Sequence, residues 1–291
     1  MTRKTQTILI ACFWALAQTS CVLHSLTETR SEEVSPLQGY GALDKFPFRE
    51  AWYGTYFKED KVGYSHFKIE PSGDHFSITS DSLMRLATPK KTDEIQMKER
   101  VLVRADLTVL GFQSAVRKNG EVERMTGKVE ENRLVVEINS GGRTESHQFP
   151  IEGKIFYQQT ISLMPALKGL RDGATYSFAA FNPGTGAIDK VEQQVFLVRG
   201  SPGPKGAVWK VKTDIGEPGT LSRKPRPDED KTRRQAKNDI EKSKVSSWLD
   251  KTGLTVLEKA LDGYLITMLE DKSVAEGFAA EKGAGKDLVL D

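Results

Sequence analysis

Cysteine is nearly absent from this sequence, and its absence excludes several kinds of chemistry. The 291 residues include two cysteines, Cys12 and Cys21, and none between Val22 and Asp291. A domain formed by that stretch has no internal disulfide, no thiolate metal ligand and no thiol nucleophile. Histidine is also scarce: His24 lies in the polar segment before the strand patterns begin, and His66, His75 and His147 have no other His, Cys or carboxylate pair nearby in the sequence at metal-ligand spacing. We predict that the protein holds no metal and no cofactor.

The sequence also lacks a recognisable catalytic motif. Gly127-Lys128 and Gly285-Lys286 have no glycine at the upstream position that a phosphate-binding P-loop requires. No G-x-S-x-G element is present to expose a serine nucleophile at a strained turn. A hydrolase with two converging carboxylates stays an open alternative, although nothing singles out one pair among the 40 acidic residues. We predict a protein that acts by binding and is not an enzyme.

Long apolar runs are missing beyond the N-terminus, which has the features of a secretory signal. Basic residues precede the apolar run Ile8–Ala17, which is too short to span a bilayer comfortably, and small residues lead to Cys21. Cys21 resembles the lipid-acceptor cysteine of bacterial lipoproteins. This likeness implies a signal peptide over residues 1–20, an acyl anchor at Cys21 and an outer-membrane lipoprotein that faces the periplasm. The alternative is cleavage after Ala17, in an A-x-A pattern, which leaves a soluble periplasmic protein.

A strong excess of charge of either sign is absent as well. Lys and Arg total 42 and Asp and Glu total 40, so no strong field draws the protein to nucleic acid. Charged residues are concentrated in residues 217–244, which we interpret as a solvated helical insert between two strands. The alternative is an arm that binds anionic lipid headgroups or an acidic partner. We expect membrane contact through the lipid anchor and no nucleic-acid partner.

What the sequence does contain is a long series of strand patterns. Ala51–Phe57 and Lys61–Ile69 are rich in aromatic and β-branched residues and are joined by a short polar link, which predicts a hairpin. Asn119-Gly120 is a second hairpin signal, because both residues tolerate the positive φ of a type I′ turn. Similar short runs recur as far as Met268. They predict a mainly all-β fold, an antiparallel meander that forms a curved sheet, a half-barrel or a sandwich.

These patterns also predict where the folded domain begins and ends. Residues 21–48 are rich in Ser, Thr, Glu and Gly without an apolar period, which is typical of a flexible tether. Residues 49–270 hold the strand patterns and form the β-rich domain. Residues 271–291 are rich in Ala and Gly at their end, and we expect a frayed tail.

One segment inside the domain has helical rather than strand spacing. Its apolar residues are Phe156, Leu163, Met164 and Leu167. Pro165 would disrupt an unbroken helix, so the spacing is as compatible with two short turns as with one helix. Gly169 suits a C-terminal cap. We interpret the segment as an apolar plug that covers one face of the sheet. The alternative is a lid over a cavity.

Short motifs in the two ends of the domain carry a resemblance to a known family. They are Trp52-Tyr53-Gly54-x-Tyr56, Lys61-Val62-Gly63-Tyr64 and Trp248-Leu249-Asp250-x-x-Gly253. They resemble the β-rich module that precedes transglutaminase-like domains in bacterial envelope proteins. More distantly, the meander is similar to the half-barrel of lipoprotein carriers, which hold acyl chains in the concave face of a curved sheet. The Cys-His-Asp domain that follows the module in that family has no counterpart here, so no catalytic residue carries over.

The resemblance implies a non-catalytic envelope module that binds a partner, such as a separately encoded transglutaminase-like enzyme. The candidate contact surface is the aromatic set of the first hairpin: Trp52, Tyr53, Tyr56 and Tyr64. The alternative is a periplasmic carrier that holds an acyl chain or another apolar ligand in the concave face of the sheet. A continuous cavity beneath residues 156–167 favours the carrier, and a filled core favours the interaction module.

Lipidation gives the first testable prediction. Metabolic labelling with an alkyne fatty acid should mark the wild-type protein and should not mark Cys21→Ser, because the acyl acceptor is then missing. The measurement is gel fluorescence after click conjugation. Label on both proteins, or on neither, contradicts acylation at this residue.

Overall fold

A computed structural model describes residues 35–87, 92–199, 203–218, 243–281 and 288–290. The predicted signal peptide, Cys21 and residues 219–242 of the charged insert lie outside the described residues. Neither helix in the described part of the chain is long and apolar enough to cross a membrane.

The described residues form one curved, unclosed sheet of 15 strands, which confirms the predicted all-β fold. The strands are β1 Glu50–Phe57, β2 Asp60–Ser72, β3 His75–Ala87, β4 Thr92–Val103, β5 Val109–Lys118, β6 Glu121–Glu130, β7 Arg133–Ser140, β8 Arg143–Pro150, β9 Ile155–Tyr157, β10 Thr175–Asn182, β11 Ala187–Leu197, β12 Trp209–Pro218, β13 Ser243–Leu249, β14 Thr255–Ala260 and β15 Leu265–Glu270. Neighbouring strands are antiparallel, apart from the parallel pair β9 and β10. The order runs from β8 to β1 and then from β15 back to β9, so the first and last strands pair at the centre.

The two hairpins expected from the sequence are present. β1 and β2 pair antiparallel across the link at Lys58 and Glu59. β5 and β6 are joined by Asn119 and Gly120, whose φ angles are 52° and 93°. Both angles are positive, as a type I′ turn requires, and Asn and Gly are the residues that adopt them at least cost. Strand β8 was not predicted, because its sequence is mostly polar and gives no strand pattern.

One face of the sheet is mainly apolar on the strands from β3 to β8. Along β4 the inward residues alternate with outward ones, so Val101 and Val103 are buried beside solvent-facing Arg100. Phe112 of β5 lies 5.1 Å from Phe181 of β10, measured between ring centroids, and so connects strands from the two halves of the sheet. Each buried aromatic ring of this kind contributes roughly 1.5–3 kcal/mol to folding.

A short helical segment covers this inner face, as the sequence predicts. It consists of a 3₁₀ turn, Gln158–Leu163, followed by helix α1, Met164–Lys168. Pro165 stands in the first turn of α1, where its missing N–H costs nothing, and Gly169 ends the helix with φ 118°. The four apolar residues singled out from the sequence are all buried in the core: Phe156, Leu163, Met164 and Leu167.

Order begins earlier than the predicted tether end at residue 48. Leu37 pairs with Leu170 through backbone hydrogen bonds, and Leu43 and Phe46 are buried in the core. The segment is polar overall, and its few large apolar residues are isolated from one another. Because each fills a separate site in the core, they give no periodic pattern in the sequence. The prediction of a flexible tether is therefore wrong for residues 37–48.

The predicted frayed tail also contains ordered structure. Helix α2, Lys272–Glu281, packs against β1 and β2, with Ala275 buried, and Leu288 is buried beyond it. The small side chain of Ala275 packs against the rest of the fold, but a composition rich in small residues is equally typical of disorder, so composition alone provides no sign of this contact. Residues 282–287 lie outside the described residues.

A close approach of β2 to β3 gives the second prediction. A Cβ atom added at Gly63 would lie 2.2 Å from the backbone oxygen of Leu83, so Gly63→Ala forces the strands apart. We expect a loss of about 1–3 kcal/mol in the free energy of unfolding, measured by urea denaturation.

Gly277→Ala is the matched control, because nothing lies within 4 Å of a Cβ atom there and alanine favours the helix by about 0.5–1 kcal/mol. Equal stability of the two variants would contradict the register of β2 on β3.

Candidate functional site

A cavity of about 540 Å³ lies on the inner face of the sheet, beside the filled part of the core. Strands β1–β4 and β11–β15 line it, the 3₁₀ turn and the start of α1 cover it, and the β10–β11 turn borders it. The cavity therefore lies partly beneath the segment that the sequence predicts as a cover. Pairing of β1 with β15 makes the two groups of strands one continuous floor.

The lining of the cavity combines apolar and small polar side chains. The apolar members on the strands include Phe67, Ile78, Met97, Val211, Ile215, Val245 and Leu249. The hydroxyl and amide members include Ser65, Ser80, Ser82, Gln159, Gln193, Thr213, Ser247 and Thr267. A mainly apolar wall with a few polar groups is typical of a small-molecule binding site.

Polar side chains lie next to one another on three neighbouring strands of the floor. The backbone register pairs Ser247 of β13 with Glu258 of β14, and Glu258 with Thr267 of β15. Directly opposed residues point to the same face of an antiparallel sheet, so these side chains meet on the cavity side. We call Ser247, Glu258 and Thr267 the polar rung.

Glu258 is the acidic member of the polar rung. The Ser247 hydroxyl donates to its Oε2 at 3.0 Å, and no Lys or Arg among the described residues forms an ion pair with it. Burial raises the pKa of Glu258, and the hydrogen bond from Ser247 opposes that shift only in part. Tyr53 lies close by, with its hydroxyl donating to the backbone oxygen of Thr255 at 3.1 Å. Burial, together with the charge of Glu258, raises the pKa of Tyr53.

A second carboxyl group, Glu99 on β4, lies behind the cavity wall and is fully buried. Tyr157 and Ser114 donate to its Oε1 at 2.7 Å and 3.2 Å, and the Oγ of Ser80 lies 3.4 Å from Oε2. Burial raises the pKa of Glu99 to about 7, because these hydrogen bonds offset only part of the desolvation cost.

Polar contacts from strands β3 and β11 help to attach the cover to the sheet. Ser80 donates to Oε1 of Gln159 at 2.7 Å, which connects the Glu99 cluster to the 3₁₀ turn. Gln193 of β11 donates from Nε2 to the backbone oxygen of Ile161 at 3.1 Å and to Thr213 at 3.3 Å. The cover is thus held by apolar packing on one side and by these hydrogen bonds beside the cavity.

The aromatic hairpin does not form the single surface that the sequence suggested. Tyr53 lines the cavity, whereas Trp52, Tyr56 and Tyr64 belong to the opposite face, because successive strand residues point to opposite sides. Trp52 stacks on His66 with 3.9 Å between ring centroids.

Contacts within the chain occupy most of that outer aromatic face. Glu50 accepts hydrogen bonds from Trp52 at 3.2 Å and from His66 at 2.8 Å. Tyr56 donates to Glu270, which also pairs with Lys61 at 2.6 Å. The Nζ of Lys272, at the start of α2, lies 5.4 Å from the centre of the Trp52 ring. The three outer aromatics are accordingly half-buried.

A metal site is not formed by the part of the chain that the structure describes. No three His, Cys, Asp or Glu side chains in it lie close enough together to hold an ion. Cys21, the predicted lipidation site, lies outside the described residues.

Comparison with solved structures supports the fold. A β-barrel-like protein of domain of unknown function DUF1849 from Brucella abortus has a TM-score of 0.50 and 11% sequence identity, covering 76% of this chain and 94% of that one. A DUF1089 family protein from Pseudomonas aeruginosa has a TM-score of 0.35 and 14% identity, covering 68% of this chain and 90% of that one. The first likeness agrees with a distant β-rich bacterial module at the level of fold. No family model and no curated protein matches the sequence.

Sequence reasoning missed Glu99 and Glu258, although a signal was present. Glu99 falls in the alternating series Met97, Glu99, Val101, whose other members are apolar and face inward. Glu258 likewise follows buried Val256 at a spacing of two. An acid at an inward position of a strand is the pattern that identifies both residues.

Glu99 generates the third prediction. Its native pKa of about 7 lies above its ordinary value of 4.5, so the native state holds an additional proton between these pH values. The extra proton stabilises the native state, and this contribution of Glu99 to the free energy of unfolding is fully present below pH 4.5. It is lost as the pH rises from there through 7. It amounts to up to about 3 kcal/mol. Glu99→Gln removes this dependence.

Urea denaturation at pH 5 and pH 8 measures the effect. The stability of the wild type relative to Glu99→Gln should be lower at pH 8 than at pH 5, while the exposed variant Glu121→Gln should follow the wild type. The same pH dependence in all three proteins contradicts a neutral buried Glu99.

Proposed function

We propose that this protein is a binding protein, and that its cavity holds the apolar chain of an amphiphilic molecule. The observation that carries the proposal is the 540 Å³ space beneath the cover. Its volume lies within the roughly 300–1,000 Å³ of small-molecule sites, and its wall is mainly apolar with a few polar groups. An elongated chain fits a floor that extends over several neighbouring strands.

The alternative, an interaction module with a surface on the aromatic hairpin, has less support. The three outer aromatics contact Glu50, Glu270 and α2 within the chain, and Tyr53 points the other way. A partnership with a transglutaminase-like enzyme therefore stays a prediction from the sequence, for which the structure offers no particular surface.

A hydrolase with paired carboxylates is also less well supported. Such chemistry needs two carboxyl groups that flank one substrate bond. Glu258 is the one acid in the described lining of the cavity, and the oxygens of Glu99 are engaged by Tyr157, Ser114 and Ser80 behind the wall. Binding without catalysis is the function that this arrangement supports best.

The envelope is the proposed place of action. This part of the proposal rests on the N-terminal sequence, with its signal features and Cys21. A lipid anchor at Cys21 would hold the domain at the outer membrane, where amphiphiles are abundant. Binding in the cavity would shield an apolar chain from water in the periplasm.

Filling the cavity gives the fourth prediction. Ser82 of β3 lines the cavity and is not fully buried, so Ser82→Phe should occupy part of the space that a ligand needs. We expect the wild type to bind the apolar fluorescent probe N-phenyl-1-naphthylamine. Ser82→Phe should bind it at least about tenfold more weakly, because the lost apolar contact is worth more than about 1.4 kcal/mol. Fluorescence titration measures both affinities.

Ser77→Phe is the control, because Ser77 lies on the same strand but faces the opposite side of the sheet. It should bind the probe as the wild type does. Equal binding by all three proteins places the probe elsewhere, and no binding by the wild type contradicts the proposed function.

A further inference from the structure

Glu258 is the feature of the cavity that packing alone does not explain. Among the described residues that line the cavity, it is the one acid, and no Lys or Arg accompanies it. His66, the other ionisable residue besides Tyr53, stacks its ring on Trp52 and pairs with Glu50 on the outer face. The cavity therefore contains one carboxyl group and no described basic side chain to balance it.

The hydrogen bonds of Glu258 leave room for a ligand. Ser247 donates to Oε2, and Oε1 accepts no hydrogen bond from the described residues. The hydroxyl of Thr267 lies at the neighbouring register position on β15, so the polar rung offers oxygen atoms on both sides of the carboxyl group. An oxygen cluster of this kind matches a head group that donates several hydrogen bonds.

Charge then selects among head groups. A carboxylate in a mainly apolar cavity loses hydration without a compensating cation, which agrees with the raised pKa of Glu258. An ammonium head group supplies that cation and donates up to three hydrogen bonds. A carboxylate head group would bring two negative charges together, and an alcohol would supply a hydrogen bond without charge.

We infer that the cavity selects amphiphiles with a cationic amine head group, which binds against Glu258 while the alkyl chain lies along the apolar wall. This inference rests on the proposed function and adds the chemical class of the ligand. Glu258 is the specificity-determining residue, and Ser247 positions its carboxyl group.

Three ligands with the same alkyl chain test the inference: dodecylamine, 1-dodecanol and dodecanoate. Displacement of N-phenyl-1-naphthylamine at neutral pH gives their affinities, with dodecylamine and dodecanoate kept below their micelle concentrations and 1-dodecanol below its solubility limit. The wild type should bind dodecylamine at least about tenfold more tightly than 1-dodecanol, as expected for a hydrogen bond between charged groups, and dodecanoate most weakly. Glu258→Gln should bind dodecylamine and 1-dodecanol within about threefold of each other, since a neutral amide forms no ion pair.

Glu192→Gln is the matched control, because Glu192 faces outward on β11 and its loss removes the same charge without touching the cavity. It should keep the wild-type preference for the amine, and circular dichroism should show native strand content in both variants.

A Glu258→Gln variant that keeps the wild-type preference for the amine overturns the inference. Equal affinity of the wild type for the amine and the alcohol, or tighter binding of dodecanoate, overturns the inference and leaves the proposed function standing. This comparison needs no variant, so it holds even where Glu258→Gln does not fold. A wild type that binds neither the probe nor any of the three ligands contradicts the proposed function itself.

Discussion

The pairing of β1 with β15 is the contact on which the rest of this structure depends. It joins strands that are more than 200 residues apart along the chain, and it makes two groups of strands into one sheet. Tyr56 and Lys61 reinforce the pair through their contacts with Glu270, and α2 packs over the same place. Closing so long a loop costs conformational entropy, so these contacts and the shared floor must offset it. Without the pair, the cavity would lose the continuity between Tyr53 on one side and Thr267 on the other.

Alternation along the strands then determines what the inner face can do. The half from β3 to β8 presents branched and aromatic side chains inward, and together with Phe181 and the cover it forms a filled core. The strands nearest to the β1–β15 junction present serine, threonine and glutamate at some of the same inward positions. Small polar side chains leave volume that large apolar ones would fill. The side chains at inward positions thus change from large and apolar to small and polar along one sheet. This change separates a region that stabilises the fold from a region that has space for a ligand.

The sequence was sufficient to predict the class of fold, the first hairpin, the Asn119-Gly120 turn and the helical cover, because each depends on local pattern. It was not sufficient to predict which side of the cover is packed and which borders a cavity, since that depends on the curvature of the sheet. It also misjudged residues 37–48 and α2, where single apolar residues such as Leu43 and Ala275 dock at sites created by distant strands. Glu99 and Glu258 can be recognised in the sequence as acids at inward positions only when it is known which residues of each strand face the inner side of the sheet. Their burial became apparent only when neighbouring strands supplied Ser80 and Ser247.

Native mass spectrometry of the protein purified from its own host tests the central claim most directly, because it asks whether the cavity carries a ligand. The account predicts a species heavier than the protein chain by the mass of one amphiphile. That species should release the amphiphile into organic solvent and return to the mass of the chain alone. A single species at the mass of the chain, in a sample that also fails to take up an added amphiphile, would contradict the account.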